Sequence, residues 1–114
     1  MNARGDLALT LTAQGAGTVT SGPVAAAGVA AFVMTGVHVS AIGGTPTLNG
    51  GLEESDNGSS GWTAVPGGTF AQLSAVGSTV AYCKPTKNYV RVTTTVAGTT
   101  PSVTGTVAVV VFED

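Results

Sequence analysis

Charge is what this sequence lacks most. Four Lys and Arg and six Asp and Glu make up 9% of its 114 residues, against roughly 25% in an ordinary soluble domain. The cations, Arg4, Lys84, Lys87 and Arg91, form no stripe. Affinity for nucleic acid grows with the number of phosphates neutralised, so a nucleic-acid partner is not expected. A single cysteine, Cys83, can close no disulfide within the chain. It suits synthesis in a reducing cytoplasm and a small, buried, apolar role. Long apolar runs are missing too. The longest, Val24 to Met34, is interrupted by Gly28 and falls short of the roughly 20 residues that span a bilayer, so no membrane partner is expected. The opening MNARGDLALTLTAQGAG has no cationic segment followed by an apolar run, and no secretory leader is expected there.

What is present is a core former. Hydrophobic residues make up 43% and the mean hydropathy is +0.38, enough for one domain over residues 1–114, with residues 1–5 a candidate N-terminal arm. Gly-, Pro- and Asn-rich punctuation recurs every eight to twelve residues, at Gly15-Ala16-Gly17, Ser21-Gly22-Pro23, Gly43-Gly44, Asn49-Gly50-Gly51, Asp56-Asn57-Gly58, Pro66-Gly67-Gly68 and Gly98. Between these lie runs of Val, Thr and Ala, which fit a pleated, half-buried surface. The spacing predicts an all-β fold, an antiparallel β-sandwich of about eight short strands, jelly-roll or Ig-like. Leu7, Leu9 and Leu11 alternate, as do Val33, Thr35, Val37 and Val39, and Val90 and Val92. No window shows a sustained helical period with caps, and Ala25 to Ala31 is the one stretch with room for a short helical turn. The last strand, Thr106 to Phe112 (TVAVVVF), does not alternate. A continuous apolar run implies burial on both faces, which makes Val107, Val109, Val110, Val111 and Phe112 a candidate interface with another subunit.

The chain also repeats itself at an offset of 55 residues. VHVSAIGGTPTLNGGL from Val37 aligns with VTTTVAGTTPSVTGTV from Val92, matching Gly43 with Gly98, Thr45-Pro46 with Thr100-Pro101, and Gly50 with Gly105. Each copy reads as strand, Gly-x-Thr-Pro turn, strand, which predicts two similar hairpins, one in each sheet. The copies are too short and too few for a solenoid.

Little here carries chemistry. His38, the only histidine, has no nucleophile–base–orienter pattern around it in the sequence. Glu53 and Glu54 point to opposite faces of a regular strand, so they make no carboxylate pair. Asp56-Asn57-Gly58-Ser59 offers oxygens without the spacing of a calcium loop, and reads better as turn chemistry. Arg4-Gly5-Asp6 matches an integrin-type tripeptide, short enough to arise by chance, and Asn57-Gly58-Ser59 is a formal glycosylation acceptor that, with no leader expected, is not expected to meet the machinery. Trp62, Tyr82 and Tyr89 form a candidate platform for a glycan. The expectation is a protein that is not an enzyme and holds no cofactor and no metal.

Two segments carry a resemblance: LEESDNGSSGWTAV from Leu52, and NYVRVTTTVAGTTPSVTGTVAVVV from Asn88. They resemble small β-sandwich virion structural proteins of tailed bacteriophages, whose pattern is a strand, an acidic turn, a Trp and a later YVRV hairpin. The turn is Ser55-Asp56-Asn57-Gly58, lengthened here by Ser59-Ser60-Gly61 before Trp62, and the hairpin is Tyr89-Val90-Arg91-Val92 with Gly98 to Ser102. The resemblance implies a capsid decoration, or cement, protein. It would be made in the host cytoplasm, reside on the capsid surface, and bind across subunits of the major capsid protein as a homo-oligomer, a trimer by analogy. The alternative is a fibre, tail or head-surface module that binds a host receptor or glycan.

Overall fold

Alternating Val, Thr and Ala make strands. The computed structural model describes residues 2–26 and 30–113 and contains seven strands and no helix among them. They are β1 (Asn2–Gln14), β2 (Gly17–Thr20), β3 (Val24–Ala25), β4 (Ala30–Ser55), β5 (Thr63–Thr69), β6 (Gly77–Cys83) and β7 (Tyr89–Glu113). All pairings are antiparallel. From Asn2 onward the candidate arm belongs to β1, with Asn2 opposite Glu113 and Gly5 opposite Val111. Of the stretch Ala25 to Ala31, residues 27–29 lie outside the described residues, while Ala25 belongs to β3 and Ala30 and Ala31 begin β4.

β4 and β7 pair along almost their entire lengths, from Ala30 opposite Glu113 to Ser55 opposite Tyr89. A straight strand of 26 residues would reach about 86 Å at roughly 3.3 Å per residue. The longest dimension of the molecule is only 42 Å, so the pair folds back on itself. The bend lies at a register shift between Gly43 and Thr45. Gly44 (φ 65°), Gly98 (φ 121°) and Thr100 (φ 43°) occupy the left-handed region there. A β-branched residue at positive φ costs on the order of 1–3 kcal/mol, so Thr100 marks a backbone held by its surroundings.

The bend divides one sheet into two leaves. The first runs β1–β7–β4–β6 and uses the C-terminal half of β7 with the N-terminal half of β4. The second places β2 and β3 beside the N-terminal half of β7, then the C-terminal half of β4, then β5. The fold is therefore all-β, antiparallel and sandwich-like. The strands number seven, in keeping with the eight or so expected, and two of them are long. One expectation is corrected. The repeat copies do not form separate hairpins; they pair with each other, and their Gly-x-Thr-Pro segments are bends inside continuous strands. A bulge with a left-handed residue redirects a strand without ending its hydrogen-bonded ladder.

The 55-residue offset becomes a pseudo-two-fold axis. Val37 pairs with Val107, and their repeat equivalents, Val92 and Leu52, also pair. The axis passes between residues 44–45 and 99–100, at the bend itself. Flanking strands follow the same symmetry: β1 and β5 occupy equivalent edges, as do β6 and the β2–β3 pair. Both leaves turn alternate residues inward. Val33, Val37, Val39, Val107, Val109 and Val111 come from the first leaf, and Leu48, Leu52, Val90, Val92 and Val96 from the second; all are buried in one cluster. Each such side chain contributes roughly 1.5–3 kcal/mol on leaving water. Thr35 is also fully buried, and its Oγ1 has no hydrogen-bond partner among the described residues.

Candidate assembly face

The final strand segment alternates after all. Val107, Val109 and Val111 are 0% exposed and belong to the core, whereas Ala108, Val110 and Phe112 turn outward and are partly exposed. This corrects the candidate interface. Three of its five residues are consumed by the chain's own core, and only Val110 and Phe112 are available to another molecule. The apolar run does have two apolar faces, but one of them is closed by the opposite leaf.

Register then assembles the outer face of the first leaf. Phe112 lies opposite Phe32, and the two rings stack at 4.7 Å between centroids. Next come Val110, Met34 and Tyr82, with Tyr82 tilted against Phe32 at 5.9 Å. A row of small residues follows, Ala8, Ala108 and Gly36, ending at Val80. The last row is Thr10, Thr106, His38 and Ser78. Tyr82 is 62% exposed and Val80 51%. The β4, β6 and β7 positions of these rows carry no Asp, Glu, Lys or Arg, and Asp6 stands opposite Val110 at the β1 end of its row.

The outer face of the second leaf is built differently on the same framework. Thr18 faces Thr95 and Thr20 faces Thr93, each pair 3.1 Å apart between hydroxyl oxygens. Gln72 donates to Asn49 at 3.1 Å. Arg91 donates from Nε to Glu53 Oε1 at 2.8 Å and lies 4.3 Å from the centre of the Trp62 ring. This is an ordinary solvated face. Continuing the repeat offset by one residue at each end, Arg91 corresponds to Gly36 and Glu53 to Ala108. Where one leaf carries a stacked ion pair, the other carries bare backbone and a methyl group.

The remaining candidates divide between these surroundings. Glu53 and Glu54 lie on opposite faces, and Glu54 is only 4% exposed. Its Oε1 accepts from the backbone N–H groups of Thr86 (2.7 Å) and Lys87 (3.1 Å), and from the Thr86 hydroxyl (3.3 Å), so this carboxylate secures the loop between β6 and β7. The acidic turn is closed by its own side chains: Asn57 Oδ1 accepts from the N–H groups of Ser59 and Ser60, both at 2.9 Å. Among the described residues no group of three or more His, Cys, Asp or Glu could hold a metal ion. The Arg4-Gly5-Asp6 tripeptide lies within β1. The three aromatics do not form one platform. Tyr82 is on the first leaf, Trp62 is covered on one side by Arg91 on the second, and the Tyr89 ring lies against Gly58.

One contact was not legible in the sequence. β4–β6 register places Ser78 opposite His38, with His38 Nδ1 2.8 Å from Ser78 Oγ. The 40-residue separation gives no local signal. Among the described residues no carboxylate bonds this imidazole, so the pair lacks the orienting group of a nucleophilic triad. Cys83 is buried, and burial first, then the Glu54 carboxylate, pushes its thiol up from 9.0 to about 11. The thiolate is the reactive form. At about pH 8, Ellman's reagent should leave the native thiol unmodified and label the urea-unfolded chain at once. The unfolded chain releases this proton first as pH rises, so the contribution is intact below pH 9 and is lost between 9 and about 11. Urea midpoints across that window should fall less in Cys83→Ala than in the parent.

No protein-family model matches the chain, and no curated protein matches it in sequence.

Proposed function

We propose that this chain is a non-enzymatic structural protein of a bacteriophage particle, a decoration or cement protein on the capsid surface whose partner is the major capsid protein. The observation that carries this reading is the charge-poor outer face of the first leaf, where Asp6 at the β1 edge is the one charged position in its rows. Few ions lose water when such a face is covered, so contact with a neighbour carries little desolvation penalty. Left open, a broad apolar sheet face is an aggregation hazard. Assembly from many copies suits it, because modest contacts repeated over a symmetric shell multiply into avidity. The rigid sandwich needs no cofactor for this role. The receptor- or glycan-binding alternative has less support, since Tyr82 lies on the other leaf from Trp62 and Tyr89.

Quantitative mass spectrometry of purified particles tests the proposal. The expected result is a copy number equal to that of the major shell protein or a simple fraction of it. A handful of copies would move the protein to a fibre or tail, and its absence from particles would overturn the virion reading.

A further inference from the structure

Building on the assembly reading, we propose that the outer face of the first leaf is occupied by the same face of a second copy of this chain, related by a two-fold axis. The internal repeat supplies the first reason. Two leaves with equivalent strands differ on their outer surfaces: one is finished with a Thr ladder and the Glu53–Arg91–Trp62 stack, and the other is apolar over its middle rows and polar only at the Thr10, Thr106, His38 and Ser78 row and the Asp6 edge. The framework does not require a bare face, because the second leaf shows how the same framework is solvated.

Shape supplies the second reason. An isologous contact must be complementary to itself. Here one patch carries both halves of a fit. A ridge of large side chains, Phe32, Phe112, Met34 and Tyr82, runs beside a trough floored by Ala108 and Gly36. A Cβ on Gly36 would meet no atom within 4 Å, so nothing among the described residues fills that trough. Turning a second copy by half a revolution sets each ridge over the other's trough. Face-to-face packing of sheets spaced about 10 Å apart needs this kind of interdigitation.

Area decides the strength. Four strands spaced about 4.8 Å apart, over four rows spaced about 6.6 Å, give roughly 500 Å² per copy. The pair then buries about 1,000 Å² in total, the lower limit of a specific interface and well under the standard of about 1,600 Å². The contact is therefore weak and concentration-dependent in solution, and becomes effective where copies are held side by side. With a single charged position, Asp6 at the β1 edge, and no opposite charge in these rows to pair with it, added salt should leave the contact intact or strengthen it.

Sedimentation equilibrium on the full chain, from about 5 to 500 µM, tests this. The expected result is a monomer–dimer equilibrium with a dissociation constant in the micromolar range, as tight or tighter in 1 M NaCl. Gly36→Leu fills the trough and Val110→Glu charges the ridge, and each should weaken pairing at least tenfold while circular dichroism and thermal unfolding stay those of a folded protein. Thr95→Glu, on the opposite outer face, should pair like the parent. A parent monomeric throughout, a trimer, or a dimer that both variants leave unchanged would overturn the pairing. So would a monomeric parent that is lost from particles only in the two variants, since the face would then belong to the shell. The particle copy number is independent of these outcomes: particles that carry a protein monomeric in solution would refute the pairing and leave the virion reading standing.

Discussion

Gly105→Ala should lower the free energy of unfolding by about 3 kcal/mol or more, and Gly50→Ala by a similar amount. These glycines are repeat equivalents, one on each long strand. A Cβ on Gly105 would overlap the carbonyl oxygen of His38 and come within 3.0 Å of the Val39 Cα. On Gly50 it would overlap the carbonyl oxygen of Thr93 and come within 3.0 Å of the Thr94 Cα. His38 and Thr93 are themselves equivalent under the 55-residue offset, so the same tight approach occurs twice. Both obstacles are backbone in the neighbouring strand. Relief requires the β4–β7 ladder to part, and rotation of a side chain cannot supply it. Gly36 lies on β4 of the first leaf with open space beyond it, so Gly36→Ala should change stability by less than about 0.5 kcal/mol. Urea unfolding of the three variants gives the comparison, with unchanged m-values showing that the same surface is exposed. If Gly105→Ala matched Gly36→Ala, the close approach would have no energetic weight.

The repeat that marks these glycines was readable in the sequence, but its meaning was not. Strand–Gly-x-Thr-Pro–strand is a reasonable description of a hairpin, because Gly and Pro punctuate turns. Whether such a segment reverses the chain or only bends it depends on what pairs with it. Here Thr45 finds Thr99 across the sheet and Pro46 finds Gly98, so the ladder resumes after one irregularity. That partner lies more than fifty residues away, and no local pattern announces it. All-β class, antiparallel pairing and the alternating core positions Val33, Val37, Val39, Val90 and Val92 were legible because period-two burial leaves a mark in every strand.

The candidate face was half legible. A run such as TVAVVVF says that both sides of a strand are apolar; it does not say which side the chain covers itself. That needs register. Once Gly36 is seen opposite Ala108 and Val80, and Met34 opposite Val110 and Tyr82, residues scattered over three strands become one surface. The contrast with the Glu53–Arg91 pair on the second leaf emerges only after the two-fold axis is known. The aromatic platform failed for the same reason: Trp62 and Tyr82 are twenty residues apart in sequence but lie on different leaves.

Val109→Glu should abolish folding, whereas its neighbour Val110→Glu should fold. Val109 is 0% exposed and sits in the shared core with Val107 and Val111, opposite Leu7 on β1 and Thr35 on β4. Its inner-face setting offers little compensation. The Thr35 hydroxyl is already without a hydrogen-bond partner among the described residues, and the buried Glu54 carboxylate belongs to the other leaf. An ionised carboxylate left unpaired in such an interior costs far more than a domain of this size can absorb: total stability is typically about 5–15 kcal/mol. The group would have to stay protonated or the leaves would separate. Val110, one residue on, turns to the outer face, where a carboxylate keeps its water. A well-dispersed amide spectrum for Val110→Glu beside a collapsed one for Val109→Glu is therefore the expected pair of results. Two folded variants would mean that the leaves part easily at the C-terminal strand, and the inward alternation of β7 would lose its energetic basis.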